Sequence, residues 1–528
     1  MSGCANYYRA DGRARTPSNL VTTSEGIVQG YVIDGVAVFK GVHYGADTGG
    51  AGRFERPRAP ARWDGVRPAI RFGPRAPHLP TPVPKFIYVD DPNVPENEDC
   101  LVLNIWTPGV DRALRPVMVW IHGGGFAFGD GGVKWYEGEN LARENDVVVV
   151  TLNHRLNVFG FLHLAGLDER FADAGNAGML DLIRALEWLR ENIATFGGDP
   201  GNVTLFGESG GGAKISTLMG MPAAAGLFHK AIVQSGSALR AMSGDAATEA
   251  ARQFIRQCGL REGEVARLQH MPQSALLAAL AVLEEKNQVG RMFAPVVDGA
   301  HLPRDPFEPS APAAMANVAM IIGTTQDEAT VLLGSLGDHV GGPFALFLSE
   351  QELLQAVARL TGLSAEESSE LVTVYRRARP HAKPRDLLYA IGTDRLMRMN
   401  AIAQAERKVE QGGAPVFMYI FAWEQPVFFG LMKAGHGVDV AFSFNNVDYN
   451  RPMLGDGADR YEIARNWSKA LACFARSGSP NHDGLPQWPA YEADRRATMI
   501  VDRQCRVEND PGGAEREALR HLGPSGLM

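Results

Sequence analysis

Val203-Thr-Leu-Phe-Gly-Glu-Ser209-Gly-Gly-Gly-Ala-Lys-Ile-Ser-Thr-Leu-Met219 is the stretch whose reading decides the fold. Val203 to Phe206 reads as a short buried strand, and the residues leading into Met219 read as a helix. Between them Gly207-Glu208-Ser209-Gly210-Gly211 fits G-x-S-x-G, a turn so sharp that side chains at 207 and 211 would strike neighbouring backbone. Such a turn holds the Ser209 hydroxyl above the end of a sheet. There the free amides at the start of the next helix point at the reacting group. A glycine-rich turn can also hold a serine for no chemical reason, and the strand before and helix after are what favour a nucleophile.

Working outward, Pro116-Val-Met-Val-Trp-Ile-His122 and Val147-Val-Val-Val-Thr-Leu-Asn153 are continuous apolar runs rich in β-branched residues. That is the pattern of strands buried on both faces. Leu180, Ile183, Leu186, Leu189 and Ile193 recur at helical spacing, and Gly197-Gly198 stops the helix they define. Further strands are expected at 229–234, 318–323, 416–423 and 498–502. Strands alternating with helices predict a mainly parallel sheet covered on both faces. The segments 245–290 and 349–411 read as helical excursions that cap this sheet, and the proline-dense 72–98 reads as a long surface loop. The expected division is a flexible arm over 1–20, one catalytic domain over 21–510, and a tail over 511–528.

His122-Gly123-Gly124-Gly125-Phe126 follows the first of the buried strands. Bare amides there can converge on an oxyanion, and we assign those of Gly124 and Gly125, joined by that of Gly210. A plain flexible turn is the alternative. The absence of side chains would also leave room beside the scissile carbon for bulky, even tertiary, alcohols.

A serine hydroxyl needs a neutral imidazole to take its proton, and the imidazole needs an acceptor on its other nitrogen. In the order serine, acid, histidine, Gly323-Thr-Thr-Gln-Asp327-Glu328 ends a buried strand with two adjacent carboxylates. Glu328 is the first candidate and Asp327 the second, whereas Asp298 in Val-Val-Asp-Gly reads as a turn residue. Among the 13 histidines, His436 stands in Ala-Gly-His-Gly-Val-Asp, a loop downstream of the strand that ends near Trp423. His301, His339, His381, His482 and His521 are the other histidines weighed, and surface or structural roles suit them.

Composition narrows the partners. A formal net charge of −8, without a run of Lys or Arg, offers no footprint for nucleic acid. No apolar stretch is long enough to span a membrane, and the first twenty residues lack the apolar centre of a signal peptide. Five widely spaced cysteines, Cys4, Cys100, Cys258, Cys473 and Cys505, fit neither a disulfide framework nor a zinc site. No metal and no cofactor are expected, and a reducing, cytoplasmic setting is. The expected partner is a small-molecule ester; the oligomeric state is left open.

Taken together, these motifs resemble the type-B carboxylesterase family, which includes cholinesterases and bacterial para-nitrobenzyl esterases. The resemblance runs from Thr23 to Asp502. It rests on Thr23-Ser-Glu-Gly-Ile-Val-Gln-Gly30, Glu98-Asp-Cys-Leu-Val-Leu-Asn104, Asn176-Ala-Gly-Met-Leu-Asp181, Phe196-Gly-Gly-Asp-Pro200, Phe206-Gly-Glu-Ser209 and Trp488-Pro489. It implies an α/β-hydrolase fold with helical excursions forming a gorge or lid. It also implies a Ser209–His436–Glu328 triad that hydrolyses small to medium neutral esters through an acyl-enzyme. An acyltransferase or amidase with the same triad is the alternative, and a non-catalytic binding protein on this fold is a further one. Several positions depart from the family pattern. Ala76 stands where relatives place the cysteine that pairs with Cys100. Asp90 replaces a choline-binding tryptophan, which argues against choline esters. Gly210 replaces the usual alanine, and His43 replaces a common proline for no reason legible in the sequence.

Overall fold

The computed structural model describes residues 13–81, 88, 91, 93–286, 292–335 and 347–525; Cys4, Asp90 and His339 lie outside them. Its strands in chain order are β1 (Thr16–Thr22), β2 (Ile27–Ile33), β3 (Val36–His43), β4 (Val66–Pro68), β5 (Val102–Thr107), β6 (Arg115–Ile121), β7 (Val148–Leu152), β8 (Gly198–Glu208) and β9 (Lys230–Gln234). These are followed by β10 (Met242–Ser243), β11 (Val296–Val297), β12 (Ala319–Thr325), β13 (Val416–Phe421), β14 (Ala497–Val501) and β15 (Arg506–Asn509). All but β10 and β11 join one sheet in the order β1-β2-β3-β5-β7-β6-β8-β9-β12-β13-β14-β15, with β4 beside β2.

From β7 to β14 neighbouring strands run parallel, as the continuous apolar runs imply for a sheet buried on both faces. Every residue of β5, β7, β12, β13 and β14 is buried. The antiparallel pairs are confined to the margins, β1 through β5 against β7 on one side and β15 on the other. Strand order reverses around β6, with β7 on one side and β8 on the other, so a crevice opens beyond the carboxyl ends of these strands.

The helix expected from the spacing of Leu180 to Ile193 is an α-helix from Ala177–Asn192 continued by a 3-10 turn, and Gly197 closes it at φ 84°. The helical excursions appear as Gly244–Gln257 and Gln273–Lys286, and as four helices between Glu350 and Gln411. The later excursion leans on the sheet's carboxyl edge. The hydroxyl of Thr393 accepts from the amide of Ala329, and Asp386 pairs with Lys433 at 2.9 Å.

Both expected chain ends differ from the structure. Thr16–Thr22 is a strand paired with β2, although its exposed, polar face and Pro17 hide it from pattern reading. Gly513–Leu519 is a helix whose Leu519 is buried and whose Glu515 holds Arg379, so this part of the expected tail is docked. Among the described residues, no helix is long and apolar enough to cross a membrane.

Candidate active site

The loops that carry the predicted residues all leave carboxyl ends of adjacent or near-adjacent strands. His122 follows β6 and Ser209 follows β8, and the register pairs Ile121 with Gly207. Glu328 follows β12 and His436 lies on the loop after β13, with Gly323 opposite Gln234 and Thr325 opposite Phe421.

Ser209 sits at φ 55° and ψ −125°, a backbone state that only tight surroundings impose on a side-chain-bearing residue. Its amide donates to Gln234 O at 2.8 Å, and it caps the helix Gly210–Gly220. A Cβ at Gly211 would stand 2.0 Å from Ile121 O and one at Gly210 would stand 2.3 Å from Gly125 O. These contacts press the turn against both β6 and the loop of glycines after it, which is why both positions lack side chains.

In a trans peptide the carbonyl and the following N–H point in opposite directions, so each anchored carbonyl of the loop aims the next amide. His122 O accepts from Lys214 Nζ at 3.0 Å, which directs the Gly123 amide. Gly123 O accepts from His122 Nδ1 at 2.9 Å, which directs that of Gly124. Gly124 O accepts from the amides of Ala127 and Phe128, both at 3.2 Å, which directs that of Gly125. Among the described residues, the amides of Gly124 and Gly125 donate to no protein acceptor. The three glycines are not equivalent. At Gly123 a Cβ would come within 3.4 Å of Ser209 Cβ, at Gly124 it would overlap Phe128 O, and at Gly125 nothing lies within 4 Å.

The opposite wall is ionic. Glu328 is fully buried. Its Oε1 accepts from Ser235 Oγ at 2.5 Å and from the Thr325 amide at 2.7 Å, and its Oε2 meets His436 Nδ1 at 2.5 Å. Asp327 turns away: its Oδ2 takes the Ala434 amide, and burial raises its pKa to about 6 against the pull of Lys433. Only Glu328 of the two reaches the imidazole.

His436, 8% exposed, directs Nε2 toward Glu208 Oε1 at 3.2 Å. A Cβ at Gly123 would stand 3.1 Å from Glu208 Oε2 and 3.4 Å from Ser209 Cβ, so Glu208 and Ser209 both border the glycine loop. Burial pulls the imidazole pKa down, but the charges of Glu208 and Glu328 outweigh it and hold His436 above its ordinary value. Burial also raises Glu208, opposed by His436 and reinforced by Asp439. Asp439, fully buried, accepts from Gln234 Nε2 at 2.8 Å and Tyr419 OH at 3.0 Å, and burial raises it to about 6.

Glu208, Asp439 and Ser235 have no part in the sequence reading. Glu208 occupies the unrestricted position of G-x-S-x-G, and only Asp439, inside the quoted His-Gly-Val-Asp, carried a local signal. Asp298 behaves as a turn residue, accepting from the amides of Ala300, His301 and Leu302. His301 pairs with Asp173, His482 meets Asn466 O, and His381 and His521 are exposed. His43 faces Asp99 at 3.6 Å and lowers the pKa of that carboxylate, which gives the histidine a polar partner. Ala76 is buried, and Cys100 is a buried free thiol raised well above its ordinary pKa by desolvation. Among the described residues no cluster of His, Cys, Asp or Glu is arranged to hold a metal.

A family model described as "Carboxylesterase family" matches residues 17–517. The para-nitrobenzyl esterase of Bacillus subtilis is 36% identical over 509 residues, covering 95% of this chain and 98% of that protein. The phenmedipham hydrolase of Pseudarthrobacter oxydans is 32% identical with the same coverage. Among solved structures, a Geobacillus stearothermophilus carboxylesterase superposes with a TM-score of 0.81 at 39% identity, covering 95% of this chain and 100% of that one.

Proposed function

The chain belongs to the carboxylesterase family, has the α/β-hydrolase fold and is a serine ester hydrolase; from that premise we propose that Ser209, His436 and Glu328 form its catalytic triad. The amides of Gly124, Gly125 and Gly210 form its oxyanion hole. The single observation that carries this reading is the anchoring of His436 Nδ1 on the buried carboxylate of Glu328. It leaves Nε2 facing Glu208, the residue next to Ser209 in the chain.

His436 in its neutral form takes the Ser209 proton as Oγ attacks the ester carbonyl. The carbonyl oxygen becomes an oxyanion held by the three amides, the alcohol leaves with the proton from His436, and water releases the acyl group by the same steps in reverse order. The imidazolium formed in each half is stabilised by Glu328, and Glu208 and Asp439 add negative potential behind it. The substrates proposed are small to medium neutral esters of carboxylic acids. The catalytic unit proposed spans 21–510, extended by the docked strand and helix at its ends. The free thiol of Cys100, with alanine at position 76 where relatives place its partner, supports a reducing compartment, proposed here as the cytoplasm.

Purified protein and Ser209→Ala, assayed on a panel of para-nitrophenyl, para-nitrobenzyl, aliphatic and choline esters and anilides, test the reading. Hydrolysis of neutral esters that disappears with Ser209 is expected. Turnover of anilides above esters, or of choline esters above neutral ones, would overturn the substrate class.

A further inference from the structure

Behind the oxyanion loop lies a charge that the mechanism above does not use. Lys214, on the helix Gly210–Gly220, is fully buried, and its ammonium donates to His122 O at 3.0 Å. No carboxylate stands within ion-pairing distance of it among the described residues. Its other neighbours are the Phe126 ring, whose centroid is 5.8 Å away, and the stacked imidazoles of His122 and His154, centroids 4.9 Å apart. Both imidazoles spend Nδ1 on backbone carbonyls and leave Nε2 buried without a partner. Burial first, and Lys214 second, push both far below the ordinary histidine value, so they are neutral. A desolvated ammonium without a counter-ion is costly in a folded protein, and the groups around it return little of that cost.

We propose that Lys214 is a positioning residue for the oxyanion: its ammonium, bonded to the His122 carbonyl, orients and polarises the glycine loop and supplies the positive potential that the developing negative charge meets. Two geometric facts carry this. The bonded carbonyl belongs to the peptide that opens the loop, so the ammonium fixes the peptide plane from which the amides of Gly124 and Gly125 follow. The His122 ring, held next to Lys214, bonds Gly123 O and thereby aims the amide of Gly124. The missing anion is then the oxyanion itself, present only in the transition state, where a buried charge counts most. Burial lowers the Lys214 pKa, with no carboxylate beside it among the described residues to offset the lost hydration.

The inference rests on the proposed reading of Ser209 and its oxyanion hole, and an alkyl trifluoromethyl ketone separates the two. Ser209 Oγ adds to the ketone carbon, His436 keeps the proton, and the hemiketal oxygen remains as an anion in the hole. In Lys214→Met, kcat for para-nitrophenyl acetate is expected to fall at least about tenfold, since losing a whole donor costs about a hundred- to a thousandfold. KM should stay within about twofold. Inhibition by the trifluoromethyl ketone should weaken by the same factor as kcat, while the corresponding alcohol binds as before. Unchanged kcat and ketone affinity in Lys214→Met, with a ketone adduct on wild-type Ser209, would overturn the role of Lys214 alone. A wild type that forms no adduct would overturn the reading beneath it.

Should Lys214→Met not fold, wild-type protein labelled at the side chains of its ten lysines provides the readout by NMR. One buried lysine resonance is expected to shift when the trifluoromethyl ketone binds and not when the alcohol binds. The same spectrum with both ligands would contradict the proposal.

Discussion

The two walls of the site are built from opposite materials. On one side a backbone loop of glycines turns its amides inward, with the buried ammonium of Lys214 set behind it. On the other, three buried carboxylates, Glu208, Glu328 and Asp439, surround one imidazole. The first wall works by geometry and needs no side chain at the reacting centre. The second works by charge and needs side chains from three separate segments, the end of β8 and the loops after β12 and β13. A reaction that makes an oxyanion and an imidazolium at once draws on both, the negative charge forming at the amide wall and the positive at the carboxylate wall.

Removing the reacting groups between the walls should have the largest effect. Ser209→Ala and His436→Gln are each expected to lower kcat by at least about a thousandfold with the fold retained, checked by steady-state kinetics beside circular dichroism. Joint replacement should cost little more than either alone, because the pair acts as a unit. Additive losses would separate His436 from Ser209.

The amide wall can be broken at one glycine and spared at its neighbour. Gly124→Ala drives a Cβ into Phe128 O at φ 83°, and about a hundredfold loss of kcat is expected as its amide is displaced. Gly125→Ala meets no atom within 4 Å and is strained only by its φ of 59°, so primary esters should lose about tenfold. Esters of tertiary alcohols such as tert-butyl acetate should suffer more, since the new methyl occupies the space beside the scissile carbon. Equal losses at the two positions would contradict the different roles the loop gives them.

The carboxylate wall should show itself in pH dependence, with a smaller effect on rate. The proposed mechanism needs neutral His436, and Glu208 and Glu328 hold its pKa above the ordinary value. Hydrolysis should therefore rise with pH through a midpoint above about 6.5. Glu208→Gln removes one stabilising charge, lowers the imidazole pKa and moves this limb downward by about one unit. A limb that stays in place, with chemistry rate-limiting, would remove Glu208 from the wall.

This contrast also explains what was legible in the sequence. The amide wall is local: β6 with Gly123 to Gly125 and β8 with Gly207 to Gly211 are contiguous motifs whose steric logic can be read along the chain. The parallel core was legible for the same reason, because strands buried on both faces write continuous apolar runs. The carboxylate wall is assembled across the sheet by register. Ser235 reaches Glu328 only because β9 lies beside β12, and Glu208 reaches His436 only because two distant loops converge. No spacing in the sequence encodes those meetings, and Lys214 reads there as one more residue of a helix. The antiparallel margin was hidden differently, since β1 is exposed and polar enough to pass for an arm.

The most direct test of the account is covalent labelling. A fluorophosphonate captures a serine only where base, oxyanion hole and nucleophile act together, so it reports on both walls at once. Incubated with the purified protein and mapped by mass spectrometry after digestion, it is expected to give one adduct per chain, on Ser209, and none in His436→Gln. An adduct on any other serine, or full labelling of Ser209 without His436, would contradict it.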